Sequence, residues 1–305
     1  MEQCRLCGRH GGINRTIRAG RCGMTNRVYA ARAALHMWEE PCISGKEGSG
    51  TVFFVGCPLG CVFCQNREIA LGRRHGDVIG IPVTEVQLAD TFLALEAQGA
   101  NNINLVTPTH FVPQIICAVR MARERGLTVP VLYNTGSYET EETVRSLRGT
   151  VDIFLPDLKF MDPDISGRYA KAPDYFEVAE KAIRGMVEIA GEPVFDDRGM
   201  MKSGVIVRHM VLPGHTRDSK RIIRYLHETY GEKIYVSIMN QYTPMPGIGD
   251  EFPELARRVT KREYERVINY AIDLGMENVF IQEGPTAEES FIPDFDGTGI
   301  AIGGD

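Results

Sequence analysis

Three cysteines, Cys57, Cys61 and Cys64, stand in the stretch Gly56-Cys57-Pro58-Leu59-Gly60-Cys61-Val62-Phe63-Cys64-Gln65-Asn66, spaced C-x3-C-x2-C. Thiolates this close in sequence suit an iron–sulfur cluster. A [4Fe–4S] cluster ordinarily takes four cysteines, so a loop supplying three leaves one iron without a protein ligand. An open coordination position marks a catalytic metal site, whereas structural sites are closed. The competing readings are a zinc loop and three incidental buried thiols. Zinc prefers four ligands in C-x2-C pairs, and incidental cysteines rarely fall among loop-forming residues such as Gly56, Pro58 and Gly60.

A second group lies upstream. Cys4 and Cys7 form a C-x2-C pair, Cys22 follows, and Cys42 and His10 are the remaining nearby ligand types. Cys4 and Cys7 could chelate one metal, with Cys22 and either His10 or Cys42 completing four ligands. Zinc and a second iron–sulfur cluster both fit that set.

The chain has 305 residues and a formal net charge of −6. That length suits one α/β barrel. The mildly acidic balance gives no nucleic-acid footprint, and no apolar run reaches the roughly 18 residues of a membrane span. The first residues lack the apolar core of a signal peptide. Eight cysteines in such a chain point to metal ligation in a reducing cytoplasm, not to disulfides.

The elements that must position the cysteines follow a repeating order. Residues 1–50 are rich in Arg, Gly and Cys, with a short helix expected over 28–38. From residue 51 apolar runs alternate with amphipathic ones. Strands are expected at 51–55, 102–106, 129–133, 152–155, 205–212 and 234–239, with a short seventh at 279–282. Helices are expected at 84–98, 113–125, 140–148, 175–189, 218–230 and 261–274, the first capped by Thr84 with Gln87. Residues 194–201 read as a hairpin, and Cys117 as a core thiol. Trp38 reads as a cover over the barrel base, and Glu39 and Glu40 as solvated or ion-paired. The division is then a Cys-rich extension at 1–50, an α/β unit at 51–282 and an irregular tail at 283–305. Repeated strand–helix units imply parallel βαβ geometry, closed into a barrel or opened as a doubly wound sheet. Either puts the cysteine loop at the carboxyl end of the first strand, where such folds do chemistry.

The loop, with aromatic Phe63 before its third cysteine, resembles that of the radical S-adenosylmethionine (SAM) superfamily. The resemblance implies a partial (β/α)6 TIM-type barrel and a [4Fe–4S] cluster held by Cys57, Cys61 and Cys64. It also implies SAM on the open iron, cleaved reductively to methionine and a 5'-deoxyadenosyl radical that abstracts hydrogen. Motif order over 51–282 is most similar to the branch related to pyruvate formate-lyase activating enzyme. Asn102 or Asn104 stands where many relatives carry a Gly-Gly-Glu segment for the SAM amino group. Asn134, Thr135 and Ser137 resemble a SAM-contacting Thr-Asn-Gly stretch, with helix capping by Ser137 as the plain alternative. Asp157-Leu158-Lys159 matches the Asp-Leu-Lys that contacts SAM in that branch, Lys159 for the carboxylate and Asp157 for a ribose hydroxyl or the lysine. Arg208 lies where that branch has an arginine. An inward arginine on an apolar strand calls for an anionic partner, and a SAM carboxylate or ribose would serve. Gln241 and Tyr242 would meet adenine, where the relatives use a histidine. The resemblance leaves the catalytic side chains unassigned. It implies a glycyl-radical protein entering the open barrel, or alternatively another protein, a peptide or a small molecule, with flavodoxin or ferredoxin as reductant. A reading from a different class is an iron–sulfur electron carrier or zinc-stabilised scaffold.

Overall fold

The computed structural model describes residues 2–74, 77–282 and 292–302. Among the described residues ten strands make one sheet, Val194–Phe195 off to one side and nine along its main path: β1 (Val28–His36), β2 (Ser49–Phe54), β3 (Ile81–Val83), β4 (Ile103–Val106), β5 (Val131–Thr135), β6 (Ile153–Pro156), β7 (Met201–Met210), β8 (Tyr235–Met239) and β9 (Val279–Ile281). Their order is β9-β8-β7-β6-β5-β4-β2-β1-β3. Every pairing from β2 to β9 is parallel, while β1 runs antiparallel to β2 and β3. The sheet is open, with β9 and β3 as its two edges. The fold is therefore the partial α/β barrel that the family resemblance implied, and not the doubly wound sheet that the alternation of elements also allowed.

Chemistry of the chain explains the core strands. β2, β4, β5 and β6 are buried at every position, as expected for strands covered on both faces. Helices α1 (Glu85–Ala97), α2 (Val112–Glu124), α3 (Glu141–Ser146), α4 (Pro163–Ala170), α5 (Tyr175–Ala190), α6 (Thr216–Tyr230) and α7 (Lys261–Asp273) cross between strands. Thr84 and Gln87 form the expected capping box. No helix among the described residues is long and apolar enough to cross a membrane.

Several expectations are corrected. Residues 28–36 form a strand, not a helix. Their alanines favour helix locally, but Ala33 and Ala34 pair with Val52 and Thr51, and sheet pairing overrides that preference. α4 was not anticipated, although Asp162 caps it from just before Pro163, the usual arrangement at a helix start. Cys117 is half-buried, on the flank of α2, not in the core. Thr140, not Ser137, caps α3 by accepting from Thr143 N. The hairpin is as expected, with Val194–Phe195 antiparallel to β7.

Of the tail expected at 283–305, residues 283–291 and 303–305 lie outside the described residues. The described part docks on β1. Ala33 N donates to Thr298 O at 2.9 Å and Gly297 N donates to Ala31 O at 2.8 Å. Phe295 packs edge-on to Phe53.

The cysteine loop is clamped from two sides. Val62 N donates to Tyr169 O at 2.8 Å, and Arg9 Nε donates to Pro58 O at 2.9 Å. Phe63 is wedged between Phe160 and Tyr242. Gly56 turns the chain out of β2 with φ of 91°, and an added Cβ there would lie 2.5 Å from Cys22 O. Gly99 has a similar φ of 95° with nothing within 4 Å of such a Cβ. Gly99→Ala should therefore cost only the left-handed backbone strain, about 1–2 kcal/mol. Gly56→Ala should cost clearly more in the same urea titration; equal costs would show that the Cys22 contact is unimportant.

Candidate active site

A cavity of about 240 Å³ opens where the parallel strands end, and Cys57, Cys61 and Cys64 line it. So do Asn134, Thr135, Asp157, Lys159, Arg208 and Gln241. Each follows or ends a strand. β5 delivers Asn134 and Thr135, the turn after β6 delivers Asp157 and Lys159, β7 delivers Arg208, and the turn after β8 delivers Gln241. Thr107, Met210 and Ile292 of the docked tail complete parts of the wall.

Four of the predicted residues, Asn102, Ser137, Asn104 and Tyr242, do not line this cavity. Asn102 precedes β4, at the opposite end of the strand from the cysteine loop. It is buried there, accepting from Ser49 Oγ at 2.6 Å and donating to Ile43 O at 2.8 Å, which makes it a tie in the barrel base. Ser137 is fully buried with a φ of 62° and does not line the cavity. Asn104 is turned to the network below, donating to Glu39 Oε1 at 2.9 Å. Tyr242 is 1% exposed and donates to Leu255 O at 2.6 Å, so it is core and not an adenine platform. Trp38 is 60% exposed and lines the mouth, not the base.

The charged residues form one network. Arg208 donates through Nε to Asp157 Oδ1 at 3.0 Å, through Nη1 to Glu39 Oε2 at 3.2 Å and through Nη2 to Asn134 Oδ1 at 2.6 Å. Lys159 Nζ donates to Asp157 Oδ2 at 2.6 Å. Two protein carboxylates, Asp157 and Glu39, thus partner Arg208 in this structure. Glu39 was missed as a site residue; nothing near it in sequence signals a partner on β7. Burial works against charge on Asp157, but Arg208 and Lys159 outweigh it and hold its pKa below the ordinary value. Burial likewise opposes the charge on Lys159, and Asp157 beside it more than restores it. Thr135 lines the cavity, but its hydroxyl donates to the buried Glu139. Gln241 Oε1 accepts from Gln282 at 3.4 Å.

The donor set fits a [4Fe–4S] cluster. Burial raises all three thiols, Cys61 to about 12, with Lys159 acting against the rise at each. They are neutral thiols unless a strongly cationic centre takes their protons, which is what metal binding does. No set of three or more His, Cys, Asp or Glu among the described residues is gathered tightly enough for a single metal ion. A cubane suits a wider spacing, because its thiolates bind different irons.

The N-terminal cysteines divide. Cys4, Cys7 and Cys22 line a second cavity of about 440 Å³ on the barrel flank, together with His110. Neither His10 nor Cys42 lines it. Cys42 packs with Ile43, Leu132, Ile153, Leu155, Met201 and Ile206 in a separate apolar cluster, so it behaves as a core thiol. His209 is also structural, its two ring nitrogens within 2.8 Å of Leu158 O and 2.9 Å of Ser219 Oγ.

Removing Arg208 leaves the nearly buried Glu39 without its cation and Asp157 with Lys159 alone. Arg208→Met should cost about 3–5 kcal/mol in urea titration. Asp157, with a folded pKa below its unfolded one, contributes stability that is complete above about pH 4 and is lost as pH falls through the folded value. In Arg208→Met that acid loss should begin at higher pH; an unmoved acid limb in thermal melts would count against the pairing.

Three comparisons bear on this geometry. Residues 51–226 match the family described as the radical SAM superfamily. An uncharacterized protein of Methanocaldococcus jannaschii is 26% identical over 285 residues, covering 92% of this chain and 77% of that one. HydG, a maturase of the [FeFe]-hydrogenase, shares the fold with a TM-score of 0.50 at 15% identity, over 81% of this chain and 52% of HydG. This chain therefore spans about half of HydG's length. A domain of pyruvate-formate lyase-activating enzyme from Bacteroides vulgatus ATCC 8482 aligns with a TM-score of 0.40 at 15% identity, over 58% of this chain and 91% of that one. With a family match across more than half its length, laid over the strands and loop just described, this chain belongs to the radical SAM superfamily, and that membership implies a [4Fe–4S] cluster and SAM.

Proposed function

We propose that this chain activates a glycyl-radical enzyme, of which pyruvate formate-lyase is the type, by removing a hydrogen atom from a glycine of that partner. The observation that carries the reading is the Asp157-Leu158-Lys159 segment at the end of β6, tied to Arg208 beside the cysteine loop. It has the residue types of the activating-enzyme branch at the matching places. When bound, the cluster and SAM supply reductive cleavage and a hydrogen-abstracting radical.

The protein's own groups hold and orient. Cys57, Cys61 and Cys64 hold the cluster. Lys159 spends one N–H on Asp157, and an ammonium has three donors, so two remain for the SAM carboxylate. Arg208 and Asp157 position Lys159, and they do so jointly with Glu39 and Asn134. Gln241 presents an amide for the adenine edge, and Thr135 closes the wall between Asn134 and Gly136. The mouth is open to a backbone segment of another protein, and a flavodoxin or ferredoxin supplies the electron.

The first test is 5'-deoxyadenosine release from SAM by anaerobically reconstituted, reduced protein. Release should vanish in Cys61→Ala. Lys159→Met should raise the KM for SAM about 10–100-fold, the cost of a lost charged hydrogen bond of roughly 1.5–3 kcal/mol. The second test adds pyruvate formate-lyase and looks for the glycyl radical by electron paramagnetic resonance. Release of 5'-deoxyadenosine without that radical would overturn the proposed partner class while leaving SAM cleavage in place.

A further inference from the structure

We propose that Cys4, Cys7, Cys22 and His110 hold a second centre, a thiophilic metal bound by three thiolates and one imidazole, which fastens the N-terminal segment to the cluster loop. The four residues come from two distant parts of the chain and line one cavity. His110 follows β4, a position that ordinarily points into the mouth of such a barrel. Instead Pro108 starts a helical turn, and His110 faces the flank, 2% exposed.

The state of its ring carries the argument. His110 Nε2 lies 2.7 Å from Val55 O. A carbonyl only accepts, so Nε2 holds the proton and donates. That leaves Nδ1 as a bare acceptor, and it is buried with no hydrogen-bond partner. Leaving a buried acceptor unsatisfied is unfavourable. Metal-binding histidines have this arrangement: one nitrogen donates to a backbone carbonyl, which fixes the tautomer, and the other binds metal. Three cysteines lining one cavity with such a histidine make a Cys3His set, a common closed zinc site and a set an iron–sulfur cluster can also use. Glu139 Oε2 is likewise unpartnered, but Glu139 does not line this cavity.

Charge balance agrees. Three thiolates on a divalent ion leave one negative charge. Arg15, 1% exposed, places Nη1 3.8 Å from Cys4 Sγ and donates from it to His110 O at 2.6 Å. The four ligand groups stand wider apart than one ion's coordination sphere, as Cys57, Cys61 and Cys64 do, so a zinc ion would draw the side chains inward and a cluster would span them. Cys22 O accepts from Cys57 N at 3.3 Å, so the segment fastened by this centre touches the first residue of the cluster loop. None of this depends on which substrate the barrel mouth takes.

The test uses the full chain carrying Cys57→Ala, Cys61→Ala and Cys64→Ala, which removes the main cluster. Metals are measured by mass spectrometry and sulfide chemically, on protein isolated anaerobically and after loading with zinc or with iron and sulfide. About one centre per chain is expected to remain: zinc without sulfide identifies an ion, and iron with sulfide identifies a cluster. No retained metal after either loading would overturn the proposal. Adding Cys7→Ala should abolish the centre, and adding His110→Ala should weaken it at least tenfold against a competing chelator. Unchanged retention in either variant would overturn the assignment of that ligand. If His110→Ala does not fold by circular dichroism, His110→Cys decides. It should still hold the centre, and with cobalt(II) its visible bands should move to those of four-thiolate coordination; bands identical to the parent's would exclude His110.

Discussion

The interior of this barrel is organised around one cation that cannot be left alone. Arg208 stands on β7 among buried apolar neighbours, and a guanidinium there requires carboxylates. Asp157 comes from the turn after β6 and Glu39 from the connection between β1 and β2, so three separate parts of the sheet meet at one side chain. Asn134 and Asn104 extend the contact to β5 and β4. The same network orders the mouth, because Asp157 holds Lys159 beside the cysteines. Electrostatic satisfaction of the core and presentation of a cation to the site are one arrangement.

Much of this was legible in the sequence, for identifiable reasons. Fully buried strands are short apolar runs, and they stood out at 51–55, 102–106 and 152–155 with boundaries off by a residue or two. Charges placed directly after such runs, at Asp157 and Lys159, had to lie at a strand end. Other features were illegible because their causes are distant. Arg208 and Glu39 are 169 residues apart, and no local pattern links them. β1 was misread because Ala30, Ala31, Ala33 and Ala34 suit a helix until β2 is beside them. Asn102 could have been placed correctly, since a residue before a parallel strand lies at the end away from the chemistry. His110 shows the limit of strand-end logic: a helical turn after Pro108 is enough to send a side chain out of the mouth and onto the flank.

The two groups of cysteines are mechanically continuous. Arg9 holds Pro58 O, and Cys22 O holds Cys57 N. Cys7 bridges to Glu139, whose Oε1 accepts from Thr109 and Thr135 at the ends of β4 and β5. The N-terminal segment is therefore a brace across the cluster loop and the neighbouring strand ends, and its placement bears on how firmly the loop's thiols are held. α4 braces the loop from the other side through Tyr169 and Ala170.

Ile292 of the docked tail forms part of the same wall as Cys57 and Cys64, yet it is synthesised after every strand of the sheet. Its neighbours anchor on β1, one of the first elements made, where an added Cβ on Gly299 would collide with Ala33 O. Residues far downstream of the cysteine loop thus supply part of the wall that the loop and the strand-end charges leave open. Undocking the segment around Ile292 from β1 would widen access to the thiols without disturbing the strands that carry the charges.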